Sequence, residues 1–371
     1  MISNGLLRKP IVVDALEDNG AIACVTNILK ENRNFTWTIC SADDELRMTE
    51  FYGYHYETIT FLRELQDLEK VLGKTANKEN VKYFDKIRAS IRFKHFKKTY
   101  DENILDIKGG LNDVVMNNSP IDIDKLIEGT NEILTANRNS LQLFDMLHSM
   151  RQFDDLTYVH SVNVALIASI LGQWLKFSEK DIRILTISGL LHDIGKIMIP
   201  NEILTKPGKL TVAEYNIMKQ HVNFGYEKVK NQNIDIRIKE ACLLHHEKCD
   251  GTGYPFGLKS DHIPAVAKII AIADVYDAMT SARVYRGALC PFEVIDTMYK
   301  DAFTKFEPEY ILPFLKNVAS SYINNDVRLS DGRIGKVVLI NENALSLPIV
   351  QCEDEFIDLS KTRGLTVSAI L

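Results

Sequence analysis

Five histidines and two aspartates in the middle of the chain have the types and placement to do chemistry together. His160, His192, Asp193, His221, His245, His246 and Asp274 each fall near the start or end of an apolar segment. One such residue on an apolar face is usually a hydrogen-bonded core group. Seven of them buried without a shared partner would cost several kcal/mol, and a cation explains them together. Imidazole and carboxylate donors without thiolates suit Fe, Mn, Zn or Ni rather than Ca or Mg. The set exceeds what one tetrahedral site needs, so two divalent metal ions sharing a bridging carboxylate is the economical arrangement. Such a pair can hold a hydroxide nucleophile and a phosphoryl oxygen at once, which points to phosphodiester hydrolysis.

Further residues fit that chemistry. Lys196 lies one turn beyond His192-Asp193, where its ammonium could neutralise a phosphate oxygen or assist a leaving group. Taken alone it is a surface lysine near a helix C-terminus. Asp250-Gly251-Thr252-Gly253-Tyr254-Pro255 reads as a tight loop presenting Tyr254 beside the histidine pair. Arg283 and Arg286, three residues apart, could grip a phosphate bidentately.

These residues need elements to carry them. From Ile121 onward apolar residues recur at helical spacing, and Val164, Ile167, Leu171 and Trp174 share the face of His160. Ser178-x-x-Asp181 resembles a capping box opening a helix that runs to His192 and ends at Gly195. Thr211-x-x-Glu214 opens another, read as carrying His221. A helix over about 234–247 ends in His245-His246, and Pro264 precedes one with Asp274 and Asp277 on one face. Pro291 and Pro308 start two more. After about Val327 the period shortens, and runs such as 335–340 and 349–351 predict a small β appendage.

Earlier in the chain the signals weaken. Residues 43–73 look helical, with Leu62, Leu65, Leu68 and Leu72 at helical spacing. Residues 76–100 interleave Lys82, Lys86, Arg88, Arg92, Lys94, Lys97 and Lys98 with Tyr83, Phe84, Phe93 and Phe96. That pattern favours an amphipathic helix with a solvated face over a site for an acidic partner. Gly109-Gly110 and Asn117-Asn118-Ser119-Pro120 read as loops. The organisation expected is an N-terminal regulatory module, α/β or helical, at 1–75 and a helical linker at 76–120. An all-helical catalytic domain at 121–322 and a β-rich extension at 323–371 follow.

The 371 residues carry a formal net charge of −6, 46% hydrophobic and 25% charged residues. A chain of this balance is globular, and its charge argues against binding a DNA or RNA polymer through phosphate neutralisation. Six scattered cysteines with no Cys-x-x-Cys suit reduced thiols. The N-terminus has no signal-peptide core, and no apolar run is long enough to span a bilayer, so a cytoplasmic location and no membrane partner are expected. The oligomeric state is open, a homo-oligomer included.

His192-Asp193-Ile194-Gly195-Lys196, together with His245-His246-Glu247-Lys248-Cys249-Asp250-Gly251-Thr252-Gly253-Tyr254-Pro255, resembles the HD-GYP subgroup of the HD phosphohydrolase superfamily. Ala273-Asp274-Val275-Tyr276-Asp277-Ala278-Met279-Thr280-Ser281, with Arg283 and Arg286, is similar to that family's next signature. The resemblance runs from about 121 to 320. It implies an all-helical domain with a bi- or trinuclear centre, often iron or manganese. It also implies hydrolysis of cyclic di-GMP to the linear dinucleotide and, in many members, onward to GMP. By position, the seven His and Asp residues match the metal ligands, with Asp193 bridging and catalytic. Lys196, also catalytic, matches the substrate contacts together with Tyr254, Arg283 and Arg286. Members with a third metal have a Glu one turn before the first His. Leu156 stands there, with Asp154 and Asp155 out of phase, so two metals are expected rather than three. Two readings compete with this one: hydrolysis of another cyclic dinucleotide, and a cyclic-dinucleotide receptor with little turnover.

Overall fold

A computed structural model describes residues 87–137, 140–150, 156–206, 208–281, 289–353 and 355–371. The expectations for residues 1–75, and for Lys82, Tyr83, Phe84 and Lys86, lie outside the described residues. By compactness the chain divides into two units. One holds Met1–Val81 and Arg88–Arg92; the other, Lys82–Ile87 and Phe93–Leu371, contains everything described below except the first two residues of α1.

The described α-helices are α1 (Ile91–Asn117), α2 (Ile123–Ala136), α3 (Ser140–Met150), α4 (Leu156–Trp174), α5 (Glu179–Leu191), α6 (Asn201–Leu204), α7 (Val212–Met218), α8 (His221–Val229), α9 (Ile236–Leu244), α10 (Ala265–Thr280), α11 (Pro291–Asp301) and α12 (Pro308–Ser320). A short 3-10 helix, Ile194–Met198, follows α5. Among the described residues the expected helical fold of the central region and the small C-terminal β appendage are both present.

Helix α4 explains the architecture. From Val162 to Leu171 it buries residues on all sides, including Val164, Ala165, Leu166, Ile167, Ala168 and Ile170. A helix apolar all round sits inside a bundle. Helices α5 and α10 pack directly on it, and α9 closes the group against both. The α4–α5 crossing is tight: a Cβ on Gly189 would stand 2.4 Å from the Ala165 Cα. Ser169 and Thr186, polar residues inside this core, are paired. Ser169 Oγ donates to the Ala165 carbonyl at 2.7 Å and meets Thr186 Oγ1 of α5 at 2.8 Å. Unpaired, each such group would cost about 1–3 kcal/mol.

Helix ends follow local chemistry. Ser178 Oγ accepts from the Asp181 amide at 3.2 Å and starts α5. Thr211 and Glu214 form a complete capping box at α7. Prolines 291 and 308 occupy first-turn positions of α11 and α12, where a missing N–H costs nothing.

Several expectations are corrected. Gly109 and Gly110 are not a loop; α1 runs through them. Each glycine forgoes up to about 1 kcal/mol of helix propensity, which the buried face of Phe96, Tyr100, Ile107, Leu111, Val114 and Val115 offsets. The helix ends at Asn117, and Asn118 takes a left-handed φ of 50° as expected of a loop asparagine. Phe93 and Phe96 are buried while Lys94 and Lys98 are exposed, the pattern of a solvated basic face. Gly195 does not end α5, which finishes at Leu191 with His192 as its cap. His221 is not on the Thr211 helix; α7 stops at Met218 and His221 opens α8.

The last segment is a five-stranded antiparallel sheet in the order β4-β3-β2-β1-β5. Its strands are β1 (Asp326–Leu329), β2 (Ile334–Leu339), β3 (Ile349–Cys352), β4 (Glu355–Asp358) and β5 (Val367–Ile370). Alternation places Val327, Leu329, Val337, Val350 and Ile357 in the core and Arg328 and Lys336 in solvent. Strand β5, for which the sequence showed no separate signal, pairs with β1 and packs on α11.

Candidate metal centre

The histidine and aspartate residues singled out from the sequence converge from five helices. His160 comes from α4, His192 and Asp193 from the end of α5, and His221 from the start of α8. His245 and His246 follow α9, and Asp274 is on α10. Their donor atoms form two clusters, Asp193, His221, His245 and His246 in one, His160, His192 and Asp274 in the other. Within each cluster the donors lie within 4.8 Å of one another.

Asp193 stands between them. Its Oδ1 lies 3.3 Å from His221 Nε2 and 3.7 Å from His245 Nε2. Its Oδ2 lies 3.2 Å from His192 Nε2 and 3.5 Å from His160 Nε2. Asp274 Oδ1 is 3.0 Å from His160 Nε2, and Oδ2 is 3.8 Å from His246 Nδ1. All but His246, which is partly exposed, are buried.

The other nitrogen of four of the rings is occupied. His192 Nδ1 faces the Gly189 carbonyl at 2.8 Å, His221 Nδ1 the Met218 carbonyl at 2.8 Å and His245 Nδ1 the Ala241 carbonyl at 3.0 Å. A carbonyl only accepts, so these rings carry their proton on Nδ1 and present a lone pair at Nε2. His160 differs: its Nδ1 faces the Asp277 carboxylate at 2.8 Å. The Nε2 atoms of His160 and His192 and the Asp193 Oδ1 are buried without a hydrogen bond. Orphaned lone pairs aimed at one another fit a divalent metal ion better than any rearrangement of the protein's own hydrogens.

Electrostatics agree. Burial pushes His221 down, His245 far down and His246 to about 3, so these rings are neutral donors. Burial works against charge on Asp193 and Asp274 too, but the surrounding histidines, with Lys196 beside Asp193, hold both carboxyls well below their usual range. His160 is the exception: burial opposes its charge, yet Asp274 and Asp277 on either side raise it to about 9, so without a bound cation its Nε2 keeps a proton that an ion would have to displace.

Two neighbours complete the site. Lys196, on the 3-10 helix, pairs with Asp193 Oδ2. That helix sits hard against α8: a Cβ at Gly195 would fall 1.9 Å from the His221 carbonyl oxygen. Glycine is therefore required for Lys196 and His221 to face the same carboxylate. The Tyr254 ring stacks on His246, with centroids 4.7 Å apart and planes at 29°. Its loop is tied by Glu247, whose carboxylate accepts from the amides of Phe256 at 2.7 Å, Gly257 at 3.1 Å and Leu258 at 2.9 Å. A Cβ at Gly253 would stand 2.5 Å from the Glu247 Cα, so the loop can close only on glycine.

Arg283, Arg286, Asp154 and Asp155 lie outside the described residues, and nothing is described of the Leu156 side chain. Glu247 and Asp277 serve the site without being among the residues expected there. Both carried a signal: Glu247 adjoins the histidine pair, and Asp277 follows Asp274 by one turn. Among the described residues no helix is long and apolar enough to cross a membrane.

Residues 130–310 match the family model of the HD domain, and this part of the chain is an HD domain. Over 203 residues it is 36% identical to a cyclic di-GMP phosphodiesterase of Pseudomonas aeruginosa, covering 54% of this chain and 49% of that protein. It is also 36% identical over 197 residues to a cyclic di-GMP phosphodiesterase response regulator of Xanthomonas campestris, covering 53% and 52%. A 3'3'-cGAMP-specific phosphodiesterase of Vibrio cholerae is 30% identical over 216 residues, covering 57% and 40%. The chain thus spans about half the length of the relatives it matches.

Proposed function

We propose that this protein is a metal-dependent phosphodiesterase that hydrolyses cyclic di-GMP to the linear dinucleotide, with GMP as the product of a second cleavage where hydrolysis goes further. The observation that carries the reading is Asp193, a buried carboxylate with one oxygen toward each donor cluster, in a region similar to two cyclic di-GMP phosphodiesterases. His160, His192 and Asp274 would hold one ion, and His221, His245 and His246 the other, with Asp193 shared. Iron or manganese is the expected pair, with zinc or nickel as chemically compatible occupants. When bound, the pair supplies Lewis-acid charge and brings the pKa of a coordinated water toward neutrality.

The chain's own residues supply the rest. Neutral His221, His245 and His246 keep their lone pairs for ligation at neutral pH. Lys196 would turn from Asp193 to a phosphate oxygen, where its charge offsets the negative charge developing in the transition state. Tyr254, fixed against His246 and anchored through Glu247, offers an aromatic face and a hydroxyl to the dinucleotide. Arg283 and Arg286 would clamp the second phosphate.

The test is metal content by elemental analysis together with product formation from cyclic di-GMP, anaerobically, with added Fe or Mn. About two ions per chain and a guanylate product are expected. His192→Ala and Asp193→Ala should remain helical and inactive; a metal-loaded variant that still turns over sinks the assignment. A second reading, hydrolysis of 3'3'-cGAMP, is favoured by the similarity to the Vibrio cholerae enzymes of that name. A panel of cyclic dinucleotides at equal concentration separates the two, and tight binding without product in metallated protein would favour a receptor.

A further inference from the structure

Among the described residues His160 has its second nitrogen oriented by a side chain distant in sequence, and that side chain is itself held. Asp277 Oδ2 faces His160 Nδ1 at 2.8 Å. Asp277 Oδ1 accepts from Asn163 Nδ2 at 2.9 Å and from Ser281 Oγ at 3.3 Å. The Asn163 carbonyl oxygen in turn accepts from the Tyr100 hydroxyl. Tyr100, Asn163, Asp277 and His160 are all buried.

The direction of this chain is settled by donor chemistry. A carboxylate only accepts, so Asn163 must turn its NH2 to Asp277 and its carbonyl outward, where only a donor satisfies it. The Tyr100 hydroxyl is that donor. The ring then gives Asp277 its Nδ1–H, which aims Nε2 into the cluster, where a neutral ring offers its lone pair. Tyr100 lies on α1, outside the 130–310 region matched by the HD domain family. A second tie joins the same two helices: Tyr158 Oη donates to Asn112 Oδ1 of α1 at 3.2 Å, two residues before His160.

We propose that Tyr100 is a positioning residue of the metal centre: through Asn163 and Asp277 it fixes the His160 ring, so that α1 is part of the apparatus that holds one metal. The proposal rests on the metal reading above but not on the identity of the substrate. Its consequence is specific. Loss of the Tyr100 hydroxyl should weaken the ion held by His160, His192 and Asp274 and leave the other ion alone.

The test uses the full chain and Co(II) as the probe metal. Tyr100→Phe keeps the ring and its packing on Phe96 and removes only the donor. Chelator competition should show one of two Co(II) equivalents bound about tenfold more weakly, the other unchanged. The visible absorption of the affected Co(II) should change, and kcat should fall with KM held. Asn163→Leu should weaken the same equivalent, and adding Tyr100→Phe to it should produce no further loss, because the path is already cut. Should Asn163→Leu fail to fold, Tyr100→Phe alone decides. A lower melting temperature with unaltered Co(II) affinity and spectrum would show Tyr100 to be packing only and overturn the proposal, as would additive losses in the double variant. Wild-type protein that takes up Co(II) but leaves every cyclic dinucleotide intact would sink the functional reading and leave this proposal standing. Protein that takes up no Co(II) overturns both.

Discussion

The two halves of the metal cluster are built differently. In the half with His221, His245 and His246, the rings of His221 and His245 are aligned by carbonyls three or four residues away, those of Met218 and Ala241. The half with His160, His192 and Asp274 is mixed. His192 again uses a carbonyl one turn back, that of Gly189, whereas His160 uses Asp277, distant by 117 residues. His192 and His221 find carbonyls at a helix C-terminus, those of Gly189 and Met218, and the last carbonyls of a helix have no intrahelical partner. The Ala241 carbonyl, by contrast, accepts both the amide and the ring of His245. His160 sits inside α4, where the carbonyls are engaged, so its orienting group must come from another helix. Local alignment survives as long as its helix does. Tertiary alignment can be lost by changing one remote side chain.

The strongest way to break this contrast is at the residue both halves share. Asp193→Asn keeps the volume but removes the charge, and both ions should be lost with turnover below detection in elemental analysis and product assays. One ion retained at full occupancy would show that Asp193 does not bridge. A sharper division comes from Asp277→Asn, which should weaken only the His160 ion, by about 10–100-fold by analogy with other outer-shell partners. Metal titration that shows both ions weakened equally would mean the halves do not act independently.

Smaller effects test the flank of the locally built half. Glu247→Ala leaves three loop amides without their acceptor, each costing about 1–3 kcal/mol where water cannot replace it. The melting temperature should fall and KM rise, with the metal content unchanged; an unaltered KM would detach Tyr254 from substrate binding. At the bottom of the scale, Lys98→Ala on the exposed face of α1 should change stability by less than about 0.5 kcal/mol and leave turnover alone. A clear loss of activity would revive the reading of that basic face as a site for an acidic partner.

Much of this site was legible in the residues. The seven donors were picked out by type and by their position at segment ends, and all seven lie in the two clusters. The Tyr254 loop was legible because glycine and proline restrict a chain wherever they stand. Other features were misread for identifiable reasons. Gly109-Gly110 looks like a break because propensity is local, while the burial that keeps α1 continuous depends on helices far along the chain. His221 was assigned to the helix of Thr211 because the chain turns at 219–220 without glycine or proline to mark it. Strand β5 is short and mixed in character, and it exists because β1 offers an unpaired edge.

The sequence by itself determined which atoms can bind a metal, since ligand chemistry belongs to the residue type, and which helices could carry them, since periodicity and caps act over a few residues. The tertiary structure alone decided the pairing of those atoms into two clusters across Asp193, and the choice of Asp277, Asn163 and Tyr100 to orient His160. Those contacts join residues 63 to 117 positions apart. No local preference specifies them; they arise when α4 is buried against its neighbours and its polar groups must find partners there.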